Sequence, residues 1–140
     1  MARRSREEKY PNTRTFTFYN ANPKGKFTGD CVIRAICTAL NKPYEEVYRE
    51  LLESCLKNGY SIASKENYSK YLESFGWTKM KQPRKPDNTK YIGKEFYKVF
   101  KGTCVAHIGG NHIVCIKNGK VYDTWDSTDG SIGNYWVKVN

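Results

Sequence analysis

Two textures divide this chain: apolar positions three and four residues apart through its first half, and short β-branched runs beyond residue 102. The first texture predicts helices. Val32, Ile33, Ile36 and Leu40 mark a mostly buried helix that starts at Cys31 and ends near Asn41-Lys42-Pro43. Pro43-Tyr44-Glu45-Glu46 opens a second helix with acids in its first turn, Val47, Leu51, Leu52 and Cys55 along one face, and Asn58-Gly59 as its stop. A third is predicted from Ser64, carrying Tyr68, Tyr71, Leu72 and Phe75, with Gly76 ending it. Ahead of them, residues 15–19 alternate β-branched and aromatic side chains and predict a short strand or extended arm, followed by a loop over 20–26.

The second texture predicts strands over 103–108, 112–116, 121–125 and 135–139, with Asn118-Gly119 as a tight turn between the second and third. Residues 81–90, rich in Pro and charge, read as a loop, and 91–100 have room for one more short helix. Helices first and strands second give an α+β class, with N-terminal helices packed on a C-terminal antiparallel sheet. A single domain is expected over 14–140, preceded by a basic, flexible tail over 1–13.

Composition narrows this picture. At 140 residues, 39% hydrophobic and 14% aromatic, the chain suits one packed domain and is too apolar for disorder. It has no run of about 18 apolar residues, and Met1-Ala2-Arg3-Arg4-Ser5-Arg6 leads into charge rather than an apolar signal core, so a soluble, cytoplasmic protein with no membrane contact is expected. Five cysteines, an odd number with no C-x-x-C pair, are expected to be reduced thiols, with no metal and no cofactor. The formal charge of +10 admits nucleic acid or another acidic partner. Its two main stretches, one from Arg3 to Arg14 and the other from Lys79 to Lys101, read as solvated surface.

Cys31 is the one thiol placed on the first turn of a helix, where free N–H groups and the helix dipole favour thiolate. Asp30, just before it, has the N-cap position, and its charge opposes that ionisation unless the carboxylate is otherwise engaged. A reactive cysteine needs a base. Of the two histidines, His112 is the better candidate: it begins an apolar strand after Gly109-Gly110-Asn111, whereas His107 lies inside a strand. A turn centred on Asn118-Gly119 sets His112 opposite Trp125 and beside Asp126, which makes Asp126 the expected orienting acid and Asp123 the alternative. Arg34, one helical turn past Cys31, is expected to reach Asp30 or Asp126. Cys37, Cys55, Cys104 and Cys115 read as core thiols, and Trp125 and Trp136 as packing residues.

Gly29-Asp30-Cys31-Val32-Ile33-Arg34-Ala35-Ile36, together with His112 and Tyr122-Asp123-Thr124-Trp125-Asp126, resembles a group of small bacteriophage-encoded proteins of papain-like cysteine-peptidase type. The Cys, His, Asp order is also similar to that of papain-like peptidases generally. The resemblance spans about residues 15–139 and implies a thiol hydrolase of peptide or isopeptide bonds, working in a host cytoplasm on a protein or peptide substrate. Such enzymes usually hold the oxyanion with an amide side chain, often Gln, a few residues before the nucleophile. No Gln stands there, and Asn22 and Asn20 are the amides available, Asn22 being the expected one. The alternative expectation is a non-catalytic phage protein on the same scaffold that grips a host or viral macromolecule, nucleic acid among them, through its basic surface.

Overall fold

The computed structural model describes residues 5–138. Its elements in chain order are α1 (Arg6–Lys9), β1 (Phe16–Phe18), α2 (Cys31–Leu40), α3 (Tyr44–Asn58), α4 (Lys65–Glu73), β2 (Trp77–Met80), a 3-10 helix (Gly93–Lys98), β3 (Thr103–Ile108), β4 (His112–Lys117), β5 (Lys120–Asp123) and β6 (Ile132–Lys138). The α+β class holds. Each predicted helix stops where the residue types say it should: Asn41 and Gly59, both left-handed, follow α2 and α3, and Gly76 with φ of 84° follows α4.

Six strands form one sheet in the order β1-β5-β4-β3-β6-β2. Its pairings are antiparallel except at one edge, where β1 runs parallel to β5 with Phe16 opposite Val121 and Phe18 opposite Asp123. The expected purely antiparallel, C-terminal sheet is therefore corrected to a mixed sheet whose two edge strands, β1 and β2, precede the four C-terminal strands in the chain. Phe16 accounts for β1: its ring is fully buried, and the strand closes the β5 edge. β2 carries no alternating pattern and escaped the sequence reading, because Trp77 alone faces inward while Thr78, Lys79 and Met80 are exposed.

The sheet is covered on both faces. Val32, Ile36, Val47, Leu51 and Leu72 from the helices meet Val105, Ile113 and Trp136 on one side. Phe96 of the 3-10 helix meets Ile108, Val114, Ile116 and Ile132 on the other. Burial on both faces explains why β3 and β4 read as nearly continuous apolar runs. Trp136 is fully buried, its ring edge-on to Tyr68 at 5.4 Å and its Nε1–H donating to Ser69 Oγ at 3.1 Å. The stretch expected as a flexible tail holds a helical turn from Arg6, capped by Ser5 Oγ accepting from the Glu8 N–H at 3.1 Å; residues 1–4 lie outside the described ones. Among the described residues no helix is long and apolar enough to cross a membrane.

The β4–β5 hairpin carries the site. Asn118 and Gly119 take φ of 51° and 81°, the double positive φ of a two-residue turn whose twist suits the strands. The resulting register sets Cys115 opposite Tyr122 and Lys117 opposite Lys120. A Cβ on Gly119 would come within 2.6 Å of Tyr97 Cβ. Gly119→Ala is therefore expected to destabilise the fold by about 2 kcal/mol through positive φ and overpacking together, read as a lower urea midpoint at unchanged slope.

Candidate active site

Cys31 opens α2 and His112 opens β4, and α2 packs across the start of that strand. Cys31 and His112 line one cavity, and the His112 imidazole and the Ile113 N–H both act to favour the Cys31 thiolate. Cys31 is half-buried, whereas the other four thiols are buried. His112 reaches its place because Gly109, at φ of 64°, turns the chain between β3 and β4 and leaves the imidazole at the sheet end.

The far side of the imidazole is held by Asp123. His112 Nε2 lies 2.6 Å from Asp123 Oδ2; a carboxylate only accepts, so Nε2 carries its proton and Nδ1 is left for the sulfur. Asp123 is 1% exposed and accepts three further bonds. These come from Ser127 Oγ at 2.8 Å, the Thr124 N–H at 2.7 Å and Arg34 Nη1 at 3.3 Å. Its own carbonyl accepts from the Tyr19 N–H at 2.9 Å, so the parallel strand β1 pins its backbone. Trp125 lies over the imidazole with ring centroids 5.2 Å apart.

Asp126, the expected orienting acid, is not in this contact. Its Oδ1 accepts from the N–H and hydroxyl of Thr128, at 3.1 and 2.5 Å. The reason is the period of two along a strand: with Cys115 opposite Tyr122, Asp123 is in phase with His112 and Asp126 is out of phase. Moreover β5 ends at Asp123, so the ladder never reaches Asp126.

Asn22 is also corrected as the oxyanion amide. Its Nδ2 donates to Asp30 Oδ2 at 3.2 Å and its Oδ1 accepts from the Lys24 N–H at 2.9 Å, and it does not line the cavity in front of Cys31. Asn20 is spent in the same loop, donating to the Lys26 carbonyl. Asp30 holds the N-cap position but caps no N–H with its side chain. Its carboxylate instead takes Arg34 Nε at 2.8 Å and the Tyr44 hydroxyl at 2.7 Å. The first-turn N–H groups beside the sulfur are thus left without a side-chain acceptor, and the charge that would oppose the thiolate is neutralised by Arg34. Tyr44, Ser127 and the Thr124 N–H were missed; a hydroxyl or a backbone N–H beside a buried carboxylate has no periodic signal in sequence.

The electrostatics follow. Burial alone would raise the Cys31 pKa, yet the imidazole, the Ile113 N–H and Arg34 bring it below its ordinary 9.0. Burial alone would lower that of His112, and Asp123 and Cys31 push it up to about 9. Asp123 is held below its ordinary value against its own burial by His112, Ser127 and the Thr124 N–H. The two shifts act in the same sense, each favouring a Cys31 thiolate beside a His112 imidazolium. Among the described residues no cluster of three or more His, Cys, Asp or Glu could hold a metal.

Comparison with protein-family models, curated proteins and solved structures finds no match to the chain.

The pH dependence has a definite sign. Because His112 is raised from 6.5 to about 9, its contribution to folding is whole below pH 6.5 and lost as pH rises through about 9. The lowered Cys31 thiol works the other way, contributing above 9.0 and losing that contribution as pH falls. The two act in opposite directions in the wild-type protein. Cys31→Ala, which removes the opposing group and one of the two partners that raise His112, is expected to lose stability more steeply than the wild type as the pH rises above 6.5, measured by urea unfolding. Asp123→Ala leaves Arg34 and His112 short of a buried anion and should cost about 3 kcal/mol, with the His112 imidazole titrating well below its wild-type value by NMR.

Proposed function

We propose that the protein is a papain-like thiol hydrolase acting on peptide, isopeptide or related amide bonds, of the kind carried by small bacteriophage-encoded proteins. The observation that carries this reading is the ordered relay Cys31–His112–Asp123, in which the only thiol that is not buried is paired with an imidazole held from behind by a buried carboxylate.

In this reading the Cys31 thiolate attacks the substrate carbonyl carbon. The oxyanion is met by first-turn backbone N–H groups of α2, which no side chain occupies. His112 gives its Nδ1 proton to the departing amine, leaving a thioester on Cys31. It then takes a proton from water, the resulting hydroxide displaces the thiolate, and the carboxylic acid leaves. Asp123 keeps Nε2 protonated throughout and so fixes which nitrogen faces the sulfur. Trp125 shields the Asp123–His112 bond, which gains strength away from water.

An uncharged alkylating reagent such as iodoacetamide is expected to modify Cys31 at neutral pH far faster than the four buried thiols, by peptide mass spectrometry. In His112→Ala the Cys31 rate should drop by roughly 10²-fold, in line with loss of a positioned base. Equal Cys31 rates in the two proteins would sink the dyad. Hydrolysis of a mixed peptide library should vanish in Cys31→Ala and fall strongly in Asp123→Ala, whereas Asp126→Ala retains the modification rate of wild type.

A further inference from the structure

We infer that the cavity in front of Cys31 receives an acyl group bearing a carboxylate, and that Arg6 is the residue that selects it; this rests on the hydrolase reading above. Two cavities meet at Trp125. The one in front of the thiol, about 270 Å³, touches both Cys31 and His112. The other, about 450 Å³, touches His112 without touching Cys31. The acyl carbon has to bond to the sulfur and the amine has to take its proton from the imidazole. The acyl group therefore belongs in the first cavity and the leaving amine points towards the second.

The two cavities differ in the sign of their charges. The first is lined by Arg6 and Arg34 and by no carboxylate. The second is lined by Asp126 and Asp129, the latter paired with Lys94, and by neither Arg nor Lys. Within the first, the two arginines are not equivalent. Arg34 is buried and committed to Asp30 and Asp123. Arg6 forms no ion pair among the described residues, and its guanidinium lies 4.3 Å from the centroid of the Phe27 ring.

Stacking of this kind uses the flat face of the guanidinium and leaves its edge N–H donors free, the geometry that accepts a carboxylate in two parallel bonds. The stack is itself supported. Phe27 is 50% exposed but held edge-on by Phe18 of β1, with centroids 6.5 Å apart, and α1 is capped by Ser5. An anchored aromatic thus presents a cation over the cavity where the acyl group must lie.

The test uses the full chain and two methanethiosulfonates, one carrying a carboxyethyl group and one a trimethylammonioethyl group. The Cys31 thiolate attacks the sulfenyl sulfur and displaces methanesulfinate, so the substituent stays on Cys31 as a mixed disulfide where an acyl group would sit. The readout is the ratio of carboxylate to ammonium rates at Cys31. That ratio should fall about fivefold in Arg6→Gln and stay intermediate in Arg6→Lys, while Lys79→Gln, which removes one exposed charge from the far edge strand β2, should move it little. Equal falls in Arg6→Gln and Lys79→Gln would overturn the assignment and trace the preference to net charge. The uncharged iodoacetamide rate reads activation of the thiol alone, so an unactivated Cys31 and a misassigned Arg6 give different results.

Discussion

One buried carboxylate organises this molecule. Asp123 sits at the junction of three structural units: β5 supplies it, β1 pins its carbonyl, and α2 sends Arg34 to its Oδ1. A carboxylate so deeply buried is tolerated only when its lone pairs are filled and its charge is answered. Here four donors fill them, two of the donors being cationic when His112 is protonated. The same demand settles the imidazole: its tautomer, its orientation and its raised basicity all follow from one oxygen 2.6 Å from Nε2.

From Asp123 the network runs outward through Arg34 to Asp30 and on to Tyr44, and no buried side-chain N or O atom among the described residues lacks a partner. Arg34 bridges two acids that would otherwise repel the developing thiolate. The charge next to Cys31 is therefore managed from behind the helix, and the front of α2 stays open to the cavity. A helix whose N-cap acid is diverted in this way keeps its dipole available.

Much of this was legible in the sequence, and the limits are physical. The helices over α2, α3 and α4 could be read because amphipathic spacing and stop residues coincide. The Cys31 and His112 positions could be read because each opens an element, and chain punctuation marks such places. The hairpin register was implied by Asn118-Gly119, yet the choice of Asp126 over Asp123 neglected side-chain phase along the strand and the early end of β5. The parallel pairing of β1 and the short β2 depended on long-range edge pairing, which leaves little trace in three or four residues. Asn22 had the right chemistry in a loop whose own turn consumed it.

The hairpin also orders events in time. His112 and Asp123 are eleven residues apart and joined by a two-residue turn, whereas Cys31 reaches them only when α2 docks on β4. The first contact is local and the second spans most of the chain, so loop-closure entropy delays it. A chain emerging from the ribosome displays Cys31 long before His112 exists, and through that interval the sulfur is an ordinary thiol. In the proposed hydrolase, reactivity at Cys31 would thus be a product of completed tertiary structure, absent while the chain is unfinished.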